Sequence, residues 1–201
     1  MNDLIITISR EFGSGGRKIG EEVAKKLGIN YYDKAIIDKA AQSSGLSPEF
    51  IEKEEQTFSN SILFNLATSG GQFGVSGTSL VDKIYVSESK AIKDFADKGS
   101  CVIVGRCADY VLRDKKCFNV FVYADEAYKM KRIVNDYGFE DKQVSKLIKT
   151  RDKTRARHYN YYCDRLWGDR KNYHLLINSA AYGIDKASDL IIEAAKTFFE
   201  N

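Results

Sequence analysis

The sequence predicts an α/β fold built on a five-stranded parallel sheet. Short β-branched apolar runs alternate with helical periodicities along the chain, as right-handed strand–helix–strand crossovers require. The first runs are continuously apolar, which suits strands covered on both faces. A glycine-rich loop follows the first run directly and opens a helix.

Ile5, Ile6 and Ile8 form the first strand. Gly13, Gly15 and Gly16 then allow close approaches and backbone angles that a side chain forbids, so successive N–H groups can turn towards an anion. Ile19, Val23 and Leu27 recur at helical spacing, which puts the loop at a helix N-terminus that favours phosphate. Arg17 and Lys18 add positive charge. A plain tight turn is the alternative. The pattern G-x-x-x-x-G-K-[ST] is not met: aligned on the helix ending Ala24, Leu27, Gly28, its lysine position falls on Gly16 and no Ser or Thr follows.

Residues 29–32 read as a second strand ending at Asp33, a carboxylate that can serve a ligand in the crevice of the sheet, cap the helix over residues 34–42, or do both. Ser47-Pro48 starts an acidic helix running to about Gln56. Residues 59–79 lose all periodicity and are glycine- and serine-rich, so they are expected to be a segment that moves with ligand or plain disorder. Residues 80–97 return to helical spacing. Cys101 to Val104 is a buried-type strand that delivers Gly105 and Arg106 to the same sheet edge as the glycine loop. Arg106 there is either a ligand donor or the partner of a structural carboxylate such as Asp109.

Residues 118–123 form the fourth strand, followed by a helix from about Asp125. The stretch from Lys149 to Lys171 holds eight Lys or Arg against three Asp. Arg151 and Arg155 share a helical face, an arrangement that repels unless an anion lies between them. A solvated charged face is the simpler reading of each residue alone, and the interleaved Tyr159, Tyr161, Tyr162 and Trp167 raise base stacking as a further one. Leu175 to Ile177 make the fifth strand, and a closing helix runs from about Ile184 to Phe199.

One domain accounts for 201 residues, and a formal charge of +3 is too small to argue nucleic-acid or membrane binding. Cys101, Cys107, Cys117 and Cys163 include no C-x-x-C pair, so neither zinc nor a redox couple is indicated, and Cys101 is expected in the core. With no signal peptide or membrane span in the pattern, a reduced cytoplasmic setting is expected. A homodimer is the default for oligomeric state.

Several of these segments together resemble the cytidylate-kinase-like branch of the P-loop nucleoside monophosphate kinases. They are residues 6–17, Tyr31-Tyr32-Asp33-Lys34, residues 104–109, the set Arg151, Arg155 and Arg157 with residues 159–162, and Asn178-Ser179. The resemblance implies a three-layer P-loop NTPase fold with a core of residues 1–33, 98–137 and 171–201. It also implies a helical acceptor-binding insertion at about 34–97 and a lid at about 138–170. It implies ATP and Mg2+, with Gly13, Ser14, Gly15, Gly16, Arg17 and Lys18 around the donor phosphates and Asp33, Arg106 and Asp109 on the acceptor side. Arg151, Arg155 and Arg157 would be lid residues that join Arg17 and Lys18 in catalysis. The metal ligands are unassigned, with Ser9 and Ser14 as candidate hydroxyls. The activity implied is ATP-dependent phosphoryl transfer to a nucleoside monophosphate, CMP or dCMP first. The alternatives are a kinase for another small molecule and a nucleotide-binding regulatory module whose altered glycine loop has lost catalysis.

Overall fold

A computed structural model describes residues 3–56, 79–139 and 141–200. The stretch 57–78, which includes nearly all of the segment expected to move or be disordered, lies outside the described residues. The elements run β1 (Ile5–Arg10), α1 (Gly16–Leu27), β2 (Asn30–Tyr32), α2 (Lys34–Ser44) and a helix through residues 48–56, here α3. They continue with α4 (Leu80–Ala96), β3 (Cys101–Val104), the single turn α5 (Ala108–Val111), β4 (Phe118–Tyr123) and α6 (Glu126–Tyr137). The long α7 (Asp141–Cys163), a 3-10 turn at Arg170–Asn172, β5 (Leu175–Asn178) and α8 (Ser179–Glu200) complete the chain.

All five strands are parallel, in the order β2-β3-β1-β4-β5. The expected parallel sheet is therefore present, with β1 at its centre and Ile8 level with both Val104 and Val120. The alternation of side chains sorts the core into two layers. Ile6 and Ile8 face α1 and α8, packing with Ile19, Val23 and Ile191, while Ile5, Cys101 and Ile103 face α2, α4 and α5, packing with Ile36 and Ile92. Helices thus cover both faces, the three-layer arrangement of P-loop kinase folds. All four cysteines are free and buried. Among the described residues no helix is long and apolar enough to cross a membrane.

Two local features differ from the sequence reading. Asp33 stands at the N-cap position of α2, but its side chain makes no cap hydrogen bond. The last helix begins at Ser179 and is interrupted at Gly183, where φ is 71° and ψ 174°, so only its second part corresponds to the expected helix.

Helix α1 lies close to the sheet because Gly20 presents no side chain to it: a Cβ there would meet Val104 Cγ2 at 2.9 Å. Ile191 closes the same layer from α8 and is fully buried. Ile191→Ala should cost about 2–5 kcal/mol in urea unfolding, since the layer between two helices and a sheet collapses only in part. It touches no group at the sheet's carboxyl edge.

Candidate functional site

A cavity of about 270 Å³ opens over the carboxyl ends of β1 and β3. Open parallel sheets bind ligands at this edge. Its floor carries Ser9, Arg10, Gly105 and Arg106, one wall carries Glu52 and Glu55 of α3, and α7 closes it with Arg151, Arg155 and His158.

Three successive residues after β3 lie in the left-handed region: Gly105 at φ 80°, Arg106 at 51° and Cys107 at 55°. For the two that carry a Cβ this conformation costs about 1–2 kcal/mol each, and it turns the Arg106 side chain back into the site. Arg106 is 7% exposed and bound by three carboxylates. Its Nη1 donates to Asp33 Oδ1 at 3.0 Å, and its Nε lies 2.8 Å from Glu55 Oε1 and 3.1 Å from Glu88 Oε1. Asp33 also pairs with the half-exposed Arg17, whose Nε lies 2.5 Å from Oδ2.

Burial alone would raise the Asp33 carboxyl, but Arg106, Arg10 and Arg17 outweigh it and hold it below the usual carboxylate range. Glu55 is likewise held down against burial, chiefly by Arg106. Glu88 goes the other way: burial and the neighbouring Glu55 push its carboxyl well above the ordinary value. Burial also lowers His158 to about 4, so the imidazole facing the cavity is neutral at pH 7.

Phe12 and Arg17, on either side of the glycine loop, line the cavity, whereas Gly13, Ser14, Gly15 and Gly16 lie outside its lining. Gly13 and Gly15 take φ of 85° and 83°, and α1 starts at Gly16, so the first N–H groups of that helix lack intrahelical acceptors. The Ser14 hydroxyl is fully buried and donates to Glu11 O at 2.9 Å, which withdraws it from a metal. Ser9 Oγ lines the cavity and accepts from Trp167 Nε1 at 3.1 Å. A Cβ on Gly15 would collide with Arg132 Nη1, a buried nitrogen that has no hydrogen-bond partner among the described residues.

Helix α7 is tied directly to this loop. Asp152 Oδ1 accepts from the Phe12 N–H at 2.6 Å, and Arg155 Nη1 donates to Arg10 O at 3.1 Å. Lys129 of α6 lies 2.9 Å from Glu11 Oε2 and 3.7 Å from Asp152 Oδ2, joining loop, α6 and α7. Farther along, the Tyr159 hydroxyl donates to buried Asp109 Oδ2 at 2.6 Å, and Tyr162 stacks on Tyr85 of α4 with ring centroids 3.8 Å apart. The aromatic residues interleaved with the basic charge thus largely pack inward, although Tyr161 is exposed.

Among the residues singled out in the sequence, the cavity gathers Arg17, Arg106, Arg151 and Arg155. Asp33 touches it through its pairs with Arg17 and Arg106. Lys18 and Arg157 are exposed and outside its lining, and Asp109 is buried beneath α7. The sequence reading gave no role to Arg10, Glu55, Glu88 or His158. For Arg10 a signal existed, since it stands at the first glycine position of the phosphate-loop pattern once Gly16 is set on the lysine.

Comparison with known proteins places the chain among kinase-like proteins. The profile of the cytidylate kinase-like family matches residues 5–181. A cytidylate kinase of Aeropyrum pernix is 24% identical over 94% of this chain and 97% of its own, and a cytidylate kinase of Thermoplasma volcanium is 25% identical over 77% and 71%. A crystal structure of an uncharacterized protein from Eubacterium ventriosum superposes with a TM-score of 0.73 at 28% identity, over 96% of this chain and 99% of the other. A shikimate kinase from Acinetobacter baumannii, 13% identical over 96% and 93%, shares the fold with a TM-score of 0.53.

The unfolded chain protonates His158 near 6.5, and the folded chain only near 4, so its burial withdraws stability as pH falls through that window. In urea unfolding between pH 7 and 4.5, wild type should lose about 2–3 kcal/mol more than His158→Gln. Equal losses would show that the imidazole is accessible to protons in the folded state.

Proposed function

Because the chain belongs to the cytidylate kinase-like family, we propose that it transfers the terminal phosphoryl group of ATP to a nucleoside monophosphate, CMP or dCMP first. The observation that carries the reading is the ring of guanidinium groups at the carboxyl ends of β1 and β3, between a glycine loop and a docked arginine-bearing helix. Phosphoryl transfer needs in-line positioning and fixed positive charge more than covalent chemistry.

The amides of Gly13 to Lys18 hold the donor phosphates, and Asp33 with Arg106 forms the acceptor side. As an acceptor oxygen bonds to the γ-phosphorus and the bond to the β–γ bridging oxygen breaks, Arg151 and Arg155 meet the charge on the equatorial oxygens. Arg17 orients Asp33, with which it pairs. Lys18 and Arg157, both exposed, add to the field that draws anions in. Asp109 positions α7 through Tyr159.

Magnesium bound with the nucleotide neutralises phosphate charge. Among the described residues no group of three or more His, Cys, Asp or Glu is arranged to hold it. Phosphate oxygens and water would be its main ligands, with the Ser9 hydroxyl in the cavity lining as a candidate.

One observation favours a second reading. Arg106 already has three carboxylate partners, and carboxylates such as Asp33 and Glu55 accept hydrogen bonds from hydroxyl groups. That environment suits a kinase for another, hydroxylated small molecule.

The test is ADP release from ATP and Mg2+ across ribo- and deoxyribonucleoside monophosphates and a panel of small polyols. Turnover with CMP or dCMP is expected, falling at least about 10²-fold in kcat in Arg151→Ala. Turnover only with a hydroxylated acceptor selects the second reading. Stabilisation by ATP without turnover on any acceptor selects a nucleotide-binding regulatory module.

A further inference from the structure

We propose that Arg10 is a catalytic residue, supplying from the end of β1 the phosphate-binding charge that the G-x-x-x-x-G-K pattern supplies from the start of α1. The inference rests on the kinase reading above. In that pattern the lysine position is Gly16, and the first glycine position, six residues earlier, is Arg10. Charge and glycine have exchanged ends of the loop.

The geometry shows why the exchange must involve both positions. A Cβ at Gly16 would lie 2.5 Å from Arg10 Cβ, 3.0 Å from Arg10 Cγ and 3.3 Å from Val122 Cβ. No side chain at position 16 coexists with Arg10 as it stands. At its far end the guanidinium lies over Gly105, where an added Cβ would collide with Nη1 and come within 2.9 Å of Cζ. Arg10 therefore runs between two glycines, from the start of α1 to the turn that carries Arg106. Its charged end lies between the donor loop and the acceptor side.

Among the described residues Arg10 shares a lack of partners with Arg151 at the cavity, while the other guanidinium groups there are paired. Arg17 has Asp33, Arg106 has three carboxylates, and Arg155 has Asp152 and the Arg10 carbonyl. Among the described residues the Arg10 guanidinium makes no hydrogen bond or ion pair, although it lines the cavity. Burial lowers its pKa, and Arg106 and Arg17 act in the same direction. A guanidinium keeps its proton regardless, so it remains a desolvated cation that an incoming anion would satisfy. Its planar fork can hold two oxygens of one phosphoryl group in a fixed bidentate geometry that the ammonium of a lysine does not impose. The competing structural role is long-range neutralisation of Asp33 and Glu55, both of which raise its pKa.

The test compares wild type with Arg10→Gly, Arg10→Lys, Gly16→Lys and the double variant Arg10→Gly/Gly16→Lys. It measures ADP release with the acceptor found above and the thermal shift given by ATP over ADP, both with Mg2+. In Arg10→Gly, kcat should fall about 10²-fold or more and the extra shift given by ATP should vanish. Arg10→Lys should keep the fold and fall between wild type and Arg10→Gly in kcat. The double variant should recover at least about tenfold in kcat over Arg10→Gly, whereas Gly16→Lys alone should be impaired.

A purely structural Arg10 predicts a lower melting temperature in Arg10→Gly with kcat and the ATP-over-ADP shift within threefold of wild type, and that result overturns the proposal. So does a folded double variant no better than Arg10→Gly. If wild type neither turns over ATP nor is stabilised by it, the kinase reading itself fails. If wild type does both and Arg10→Lys matches it, the role assigned to the guanidinium is wrong while the kinase reading stands.

Discussion

Arg106 is the point on which one side of the cavity converges. Its guanidinium joins the end of β2 through Asp33, α3 through Glu55 and α4 through Glu88, elements far apart in the chain. A buried guanidinium cannot shed its proton, and removing one partner from such a cluster leaves a desolvated charge at a cost of about 3–5 kcal/mol. Within the cluster the Glu88 carboxyl is pushed well above its ordinary value while those of Asp33 and Glu55 are held below theirs. The left-handed turn at residues 105–107 is the backbone's contribution to the same contacts.

A second network governs the opposite side. Glu11, Lys129 and Asp152 link the glycine loop to α6 and α7, and Asp152 occupies the N–H of Phe12, next to the first glycine of the loop. The glycine loop, α6 and α7 are therefore linked as one unit. Apolar contacts reinforce it, with Ile133 of α6 packed on Val144 and Ile148 of α7 and with Phe12 against them. Arg155 reaches the loop as well, so moving α7 alters both the charge over the cavity and the bonds that shape the loop.

Strands and main helices were legible because continuous β-branched runs and helical periodicity are local properties. The family likeness was legible for a similar reason, since its motifs are short and sit at strand ends. What the sequence could not show was pairing at a distance. Glu55 and Glu88 reach Arg106 from 51 and 18 residues away, and nothing local marks either as part of the site. Asp33 had a local reading as a helix cap, but two guanidinium groups outcompete the α2 amides for its oxygens. The basic, tyrosine-rich helix read as either a solvated or a stacking surface. Its hydrophobic partners lie on α4 and α5, so which of its tyrosines turn inward became clear only in three dimensions. The kink at Gly183 had a local cue in the glycine itself, but the extra helical turn before it did not.

The hydroxyl of Ser179, at the start of α8, donates to the carbonyl of Ser14 at 2.6 Å, and both residues are fully buried. One of the bonds that shapes the glycine loop is thus supplied from 165 residues farther along the chain. Synthesis runs from the N-terminus at about 5–20 residues per second, so the loop emerges from the ribosome well before its anchor. Until the start of α8 has docked beside β5, the nascent chain lacks that bond and the loop lacks one of the contacts that set its finished shape.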